Sequence, residues 1–418
     1  MRTRSFLIAL LLSFGFCVAA TAADRINVTE PPYGAIPNDG GDDTNAINAA
    51  MWSGQSIYFP PGTYNYTGSV VIPANTSYRF YGDGPGVSTI IFTGNPYTGF
   101  YGYNMGSATL EIDGLTLKAN SKYCGTGIYA VFNQAGATDK VRTATIHNVQ
   151  IIGSTRDGAT GSFWNGGIYL ERAQDAVIEN VEIIGNARNS HTYDGGWDSG
   201  TDFGIKWVSS DSYKTTGLQL SNLMVWYCNT ALQTYGAVEG LYLDGFEFAF
   251  CGNYGVPVVD LNSSNANMGS SFHLVNGHVG AMQNGMRLTN LRGAKVSQVH
   301  FIHVSGTQFA STGDDLALYS CNDVVISDNS FVGVDSSSYY PSETGIYVYN
   351  SGAVQIEGNY ITHYFAQHTN DAFIKIASNS LLVRIVNNVF AGGAPEYGGV
   401  NRAYDDAAPN TYYWGNNL

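Results

Sequence analysis

The sequence predicts an all-β fold: a single-domain, right-handed parallel β-helix with an N-terminal capping helix. Three observations carry that prediction. A six-residue core (apolar, any, Asn/Gly/Gln/Asp, any, any, apolar) recurs ten times, from Ile112–Leu117 to Ile385–Phe390. Its third positions are Gly114, Asn148, Asn180, Asn222, Gly245, Asn276, Gln298, Asp328, Gly358 and Asn387, spaced 22 to 42 residues apart. A fixed core with variable spacing means one rung per repeat, with loops of differing length between strands. Upstream of most cores lies a second short strand of alternating apolar residues, such as Gly167-Ile168-Tyr169-Leu170, Gly285-Met286-Arg287-Leu288 and Gly345-Ile346-Tyr347-Val348. No helical stripe separates the strands, so a leucine-rich repeat does not fit, and two strands per core are too few for a propeller blade. Asn or Gly at the third position suits a tight bend, because both tolerate left-handed backbone angles. Asn side chains stacked there are expected to bond to one another up the column.

Residues 1–23 read as a secretion signal, with Arg2 and Arg4, the apolar Phe6–Leu12 and a small-residue end at Ala20-Thr21-Ala22. Location in a bacterial periplasm or the extracellular medium is expected. The β-helix domain spans 24–418. Residues 24–75 form the N-terminal cap and first strands, with a helix over Asn45–Trp52 capped by Asp43 or Thr44. Rungs fill 76–391, and 392–418 close the other end.

Few charges and a net charge of −14 with 19 Lys plus Arg argue against a nucleic-acid partner. No later apolar run is long enough for a membrane span. Of the four cysteines after the signal, Cys228 and Cys251 take similar rung positions; a disulfide and two buried thiols are both open. No zinc-ligand spacing is present.

Tyr33-Gly34-Ala35, Asp39-Gly40, Asp42-Asp43-Thr44 and Tyr58-Phe59-Pro60-Pro61-Gly62-Thr63-Tyr64 resemble the N-terminal signature of the pectate-lyase-like β-helix superfamily. The resemblance implies a carbohydrate substrate. Thr312-Gly313-Asp314-Asp315-Leu316-Ala317-Leu318 is similar to the Gly-Asp-Asp segment of polygalacturonase-type glycoside hydrolases, where the paired Asp residues belong to the acid–base machinery.

Aligning Gly255, Gly285, Asp315 and Gly345 as strand starts makes Asp315 the acid of that column, with Asp314 at the rim. Arg287 and Tyr347 then share the outward face one rung to either side, and Glu343 precedes the upper strand. Asp315 is expected to protonate a leaving oxygen, with Asp314 or Glu343 activating water. Arg287, Lys206, Tyr347, Gln233, Trp164, Trp197 and Asp202 are expected to bind substrate, the tryptophans from loops walling a groove. These residues point to a secreted enzyme hydrolysing glycosidic bonds in a polysaccharide, with no cofactor. The alternatives are a lyase or epimerase acting on a uronate polymer, with Arg287 or Lys206 as base and Ca²⁺ held by Asp314, Asp315 and Glu343, and a non-catalytic polysaccharide-binding or matrix protein.

Overall fold

The computed structural model describes residues 25–94, 98–121, 124–132, 142–154, 161–186, 200–209, 214–252, 256–263, 269–281, 284–303, 313–332, 343–362, 372–391, 402–406 and 411–414. The strands among them form two parallel sheets, one of twenty strands and one of twelve. Each pairs in register with the next turn of a coil, so the chain is a parallel β-helix. The bends explain why. All ten third positions of the repeated core have positive φ, from 51° at Asn148 and Asn222 to 70° at Gly245. That left-handed step turns the long sheet through a corner once per rung, and the apolar residues on either side point inward. Ile146, Val149 and Ile151 are buried, as are Ile178, Val181 and Ile183 one turn on.

Asn side chains climb the outer corner as expected. Asn148 Nδ2 donates to Asp113 Oδ1 at 3.0 Å, Asn180 to Asn148 at 3.2 Å and Asn222 to Asn180 at 3.1 Å. A second ladder, inside the coil, was not anticipated. Asn329, Asn359 and Asn388 take the fourth position of the core, where earlier rungs carry Val, Leu, Phe or Gly. All three are buried. Asn359 Oδ1 accepts from the Asn329 backbone N–H and from its Nδ2, both at 3.0 Å. Asn388 Oδ1 accepts from Asn359 in the same two ways. Each amide nitrogen also donates to a carbonyl of a neighbouring rung, so the buried polar groups are satisfied.

The helix spans Thr44–Ser53 and buries Ile47, Ala50 and Met51 in the core. Asp43 precedes it without capping it through its side chain. Its carboxylate instead accepts the backbone N–H groups of Ile36 and Asn65, tying the helix start to the first strands. No helix among the described residues is long and apolar enough to cross a membrane. The four cysteines among the described residues are free thiols and buried, which decides between the two states open for Cys228 and Cys251. The two sit on adjacent rungs, with the Cys228 N–H 3.4 Å from Cys251 Sγ.

Candidate active site on the outer face of the twelve-stranded sheet

Parallel pairing without slip sets residues from distant parts of the chain in one outward column. In the twelve-stranded sheet it runs Tyr101, Tyr129, Tyr169, Lys206, Gln233, Asp260, Arg287, Ala317, Tyr347 and Lys375. Arg287 and Tyr347 therefore share one face, as the sequence indicated, and Lys206 and Gln233 lie on it too. Three of the chain's few cations lie on this column.

Asp260 is the residue that sequence reasoning missed. Its side chain is 10 % exposed, and it grips Arg287 through both oxygens. Arg287 Nε lies 3.0 Å from Oδ1, and Nη2 lies 2.8 Å from Oδ2. A bidentate fork of this kind fixes the guanidinium plane. The bonds from Asp260 hold Arg287 above its ordinary pKa, against the opposing effect of burial. Arg287 thus stays a cation, and its side chain remains 40 % exposed to whatever lies on the sheet.

Two phenols flank this pair. Burial, then the negative charge of Asp314, pushes the Tyr319 and Tyr347 hydroxyls above their ordinary value of 10.0, so both stay protonated at neutral pH. Their rings meet edge to face at 5.9 Å. Asp314 is half-buried at the start of the strand Gly313–Tyr319, with its N–H 3.4 Å from Asn284 Oδ1. Toward the N-terminal end, the column continues as stacked rings, Tyr101 on Tyr129 at 5.5 Å and Tyr129 on Tyr169 at 4.6 Å. Lys206 Nζ stands 5.7 Å from the Phe203 ring.

Other expectations need correction. Asp315 does not face a groove: it is 1 % exposed. The cause is a corner at the strand start. A Cβ at Gly204 would lie 2.5 Å from Val225 Cγ1, and one at Gly167 2.8 Å from Ile183 Cδ1, so this column is aimed at the core. Asp315 occupies the same column. Trp164 is also interior, at 3 % exposure, with Nε1 donating to the Leu117 carbonyl at 3.3 Å and its ring edge-on to Phe92. It is a core residue and not a groove wall. The strand expected at Gly255–Val258 is instead Val259–Asn262.

Asp202 is exposed at the edge of the sheet and accepts from Asn229 Nδ2 at 3.3 Å. The backbone of Glu343 pairs with Gly313. The Glu343 side chain and Trp197 lie outside the described residues. Among those described, no three His, Cys, Asp or Glu side chains converge as metal ligands.

Residues 25–257 match the family model described as rhamnogalacturonase A/epimerase, pectate lyase-like. The chain belongs to this family. Family members act on polysaccharides within a β-helix framework. The matched span includes Lys206 and Gln233 and ends before Asp260, Arg287 and Asp314. The chain is also similar in structure to the A-module of the Azotobacter vinelandii mannuronan C-5 epimerase AlgE6. That likeness has a TM-score of 0.58 at 14% identity, over 93% of this chain and 97% of that one. The AlgE4 A-module of the same organism gives 0.51 at 13% identity, over 93% and 100%. At such identities the likeness speaks for the fold. No curated protein matches the sequence.

Proposed function

We propose that this protein modifies a uronate-containing polysaccharide on the outer face of the twelve-stranded sheet, by elimination or epimerisation. The observation that carries the reading is the Asp260–Arg287 fork, set beside Asp314 and two protonated phenols. Both reactions begin by removing the proton next to a sugar carboxylate. Negative charge then builds on that carboxylate, and a fixed cation beside it lowers the barrier. Arg287, oriented by Asp260, and Lys206 fit that task. Arg287 does not fit the base role, because Asp260 stabilises its charged form.

In this scheme Asp314 takes the C5 proton. In elimination, a phenol gives its proton to the departing glycosidic oxygen as a C4–C5 double bond forms. In epimerisation, the phenol protonates C5 from the opposite face. Hydrolysis is the second reading, favoured by the half-buried Asp314 within its Gly-Asp-Asp segment. The burial of Asp315 leaves that scheme without the acid expected for it.

Product analysis on a polysaccharide panel in D₂O tests the choice. The proposal expects an ultraviolet-absorbing unsaturated end, or deuterium at an inverted C5. Saturated reducing ends without deuterium at C5 would establish hydrolysis. An absence of turnover on every polymer would favour a binding protein. Asp314→Asn is expected to slow turnover about a hundredfold, the usual scale for one acid–base group.

A further inference from the structure

Beside the sheet that carries the candidate site, the corner of two successive rungs is built in an unusual way. Tyr227 and Phe250 have φ of 58° and 54°. Bulky side chains rarely adopt the left-handed region, where Gly or Asn is relaxed. The preceding rung carries Gly185 at the matching place, and there the backbone is not left-handed. The core does not demand these rings: the residues that follow them, Cys228 and Cys251, are the buried ones, and Phe250 is 41 % exposed. The two rings stack at 5.0 Å and 16°, and Trp226 stands edge-on to both at 86° and 81°. Strain kept at a surface aromatic cluster is a mark of ligand contact. Two residues past Tyr227, Asn229 bonds to exposed Asp202 and supplies a polar rim.

We infer that Trp226, Tyr227 and Phe250 form a glycan-binding ledge that holds pyranose units of the same polymer outside the reacting site. Ring faces and edges take the apolar C–H face of a sugar, and the Asp202–Asn229 pair takes its hydroxyls. Six residues separate Tyr227 from Gln233, roughly 20 Å along the strand, so the ledge is a flanking subsite and not part of the catalytic cluster. The inference rests on the polysaccharide reading above.

The test is affinity electrophoresis of the full chain in gels containing polygalacturonate or alginate, alongside turnover and thermal melts. Wild type is expected to be retarded in at least one gel. The double variant Tyr227→Asn, Phe250→Asn should lose about tenfold in affinity while its melting temperature holds or rises, because Asn accepts the backbone angle. Tyr227→Phe should keep the affinity. Retardation of the double variant equal to wild type would overturn the ledge alone, as would a loss of affinity matched by a lower melting temperature. No retardation of wild type in either gel would overturn it too. Asp314→Asn separates the two readings: it should slow turnover about a hundredfold while retardation persists.

Discussion

A double-mutant cycle on Asp260 and Arg287 measures the fork at the centre of the site. Pairs on an open surface contribute about 0.2–1 kcal/mol, and breaking a fully buried pair costs about 3–5 kcal/mol. This pair is intermediate, with one side chain 10 % exposed and the other 40 %. Arg287→Met keeps the aliphatic stem and strands a carboxylate in a nearly closed pocket, a loss of about 3 kcal/mol on that scale. Asp260→Asn keeps the shape and removes the charge, a loss of about 1 kcal/mol. The double variant should lose about 2 kcal/mol, giving a coupling of about −2 kcal/mol. Equilibrium unfolding in guanidinium chloride reads all four corners of the cycle. A coupling within about 0.5 kcal/mol of zero would refute the claim that Asp260 fixes the guanidinium. In parallel, Arg287→Lys should retain part of the turnover that Arg287→Met abolishes, since it keeps the charge and loses the fork.

Three further outcomes are expected. Asn359→Ala strands two buried donors of Asn329 and should cost about 2–4 kcal/mol, whereas Asn180→Gly on the solvent ladder should stay within about 0.5 kcal/mol; chemical denaturation distinguishes them. Burial, then the neighbouring His300 stacked at 5.3 Å, holds His278 below its ordinary value of 6.5, with Glu247 opposing. The unfolded chain therefore binds more protons than the native one, so stability is full above pH 6.5 and falls as the pH drops below it. His278→Asn should flatten that decline, and an unchanged slope would remove His278 from the explanation. Finally, burial raises the Cys228 and Cys321 thiols, so alkylation at neutral pH should label the four cysteines only after unfolding; rapid labelling of native protein would contradict their burial.

Much of the architecture was legible because a left-handed bend restricts residue choice. Asn, Gly, Asp and Gln at one position of a repeated core therefore reported the corners directly. The shared face of Arg287 and Tyr347 followed from counting along strands of equal register. Asp260 was hidden by anchoring its rung on Gly255, short of the observed strand. The signal was present: Lys206, Gln233, Asp260 and Arg287 stand at equal intervals in the sequence, and the third of them was passed over. Trp164 was misjudged because its segment read as a loop, whereas it begins the strand Trp164–Glu171, and Asp315 was misjudged for another reason. Strict alternation fails where a strand leaves a corner, and there two consecutive residues turn toward the core. Asp315 and Leu316 are both buried, although only one of them would be on a regular strand. The inner Asn ladder escaped notice because a buried amide looks, in sequence, like a break in apolar patterning.

The equal spacing of Lys206, Gln233, Asp260 and Arg287 makes this stretch of the coil modular. Excising residues 234–260 would remove one whole turn and splice Gln233 directly beneath Arg287, with every later strand still in phase. A cut of another length that removed part of a strand would shift the outward column, whereas one confined to a connecting loop would leave it in phase. Deletions that remove one of these outward residues together with its strand and preserve the shape of the coil are therefore made in whole turns.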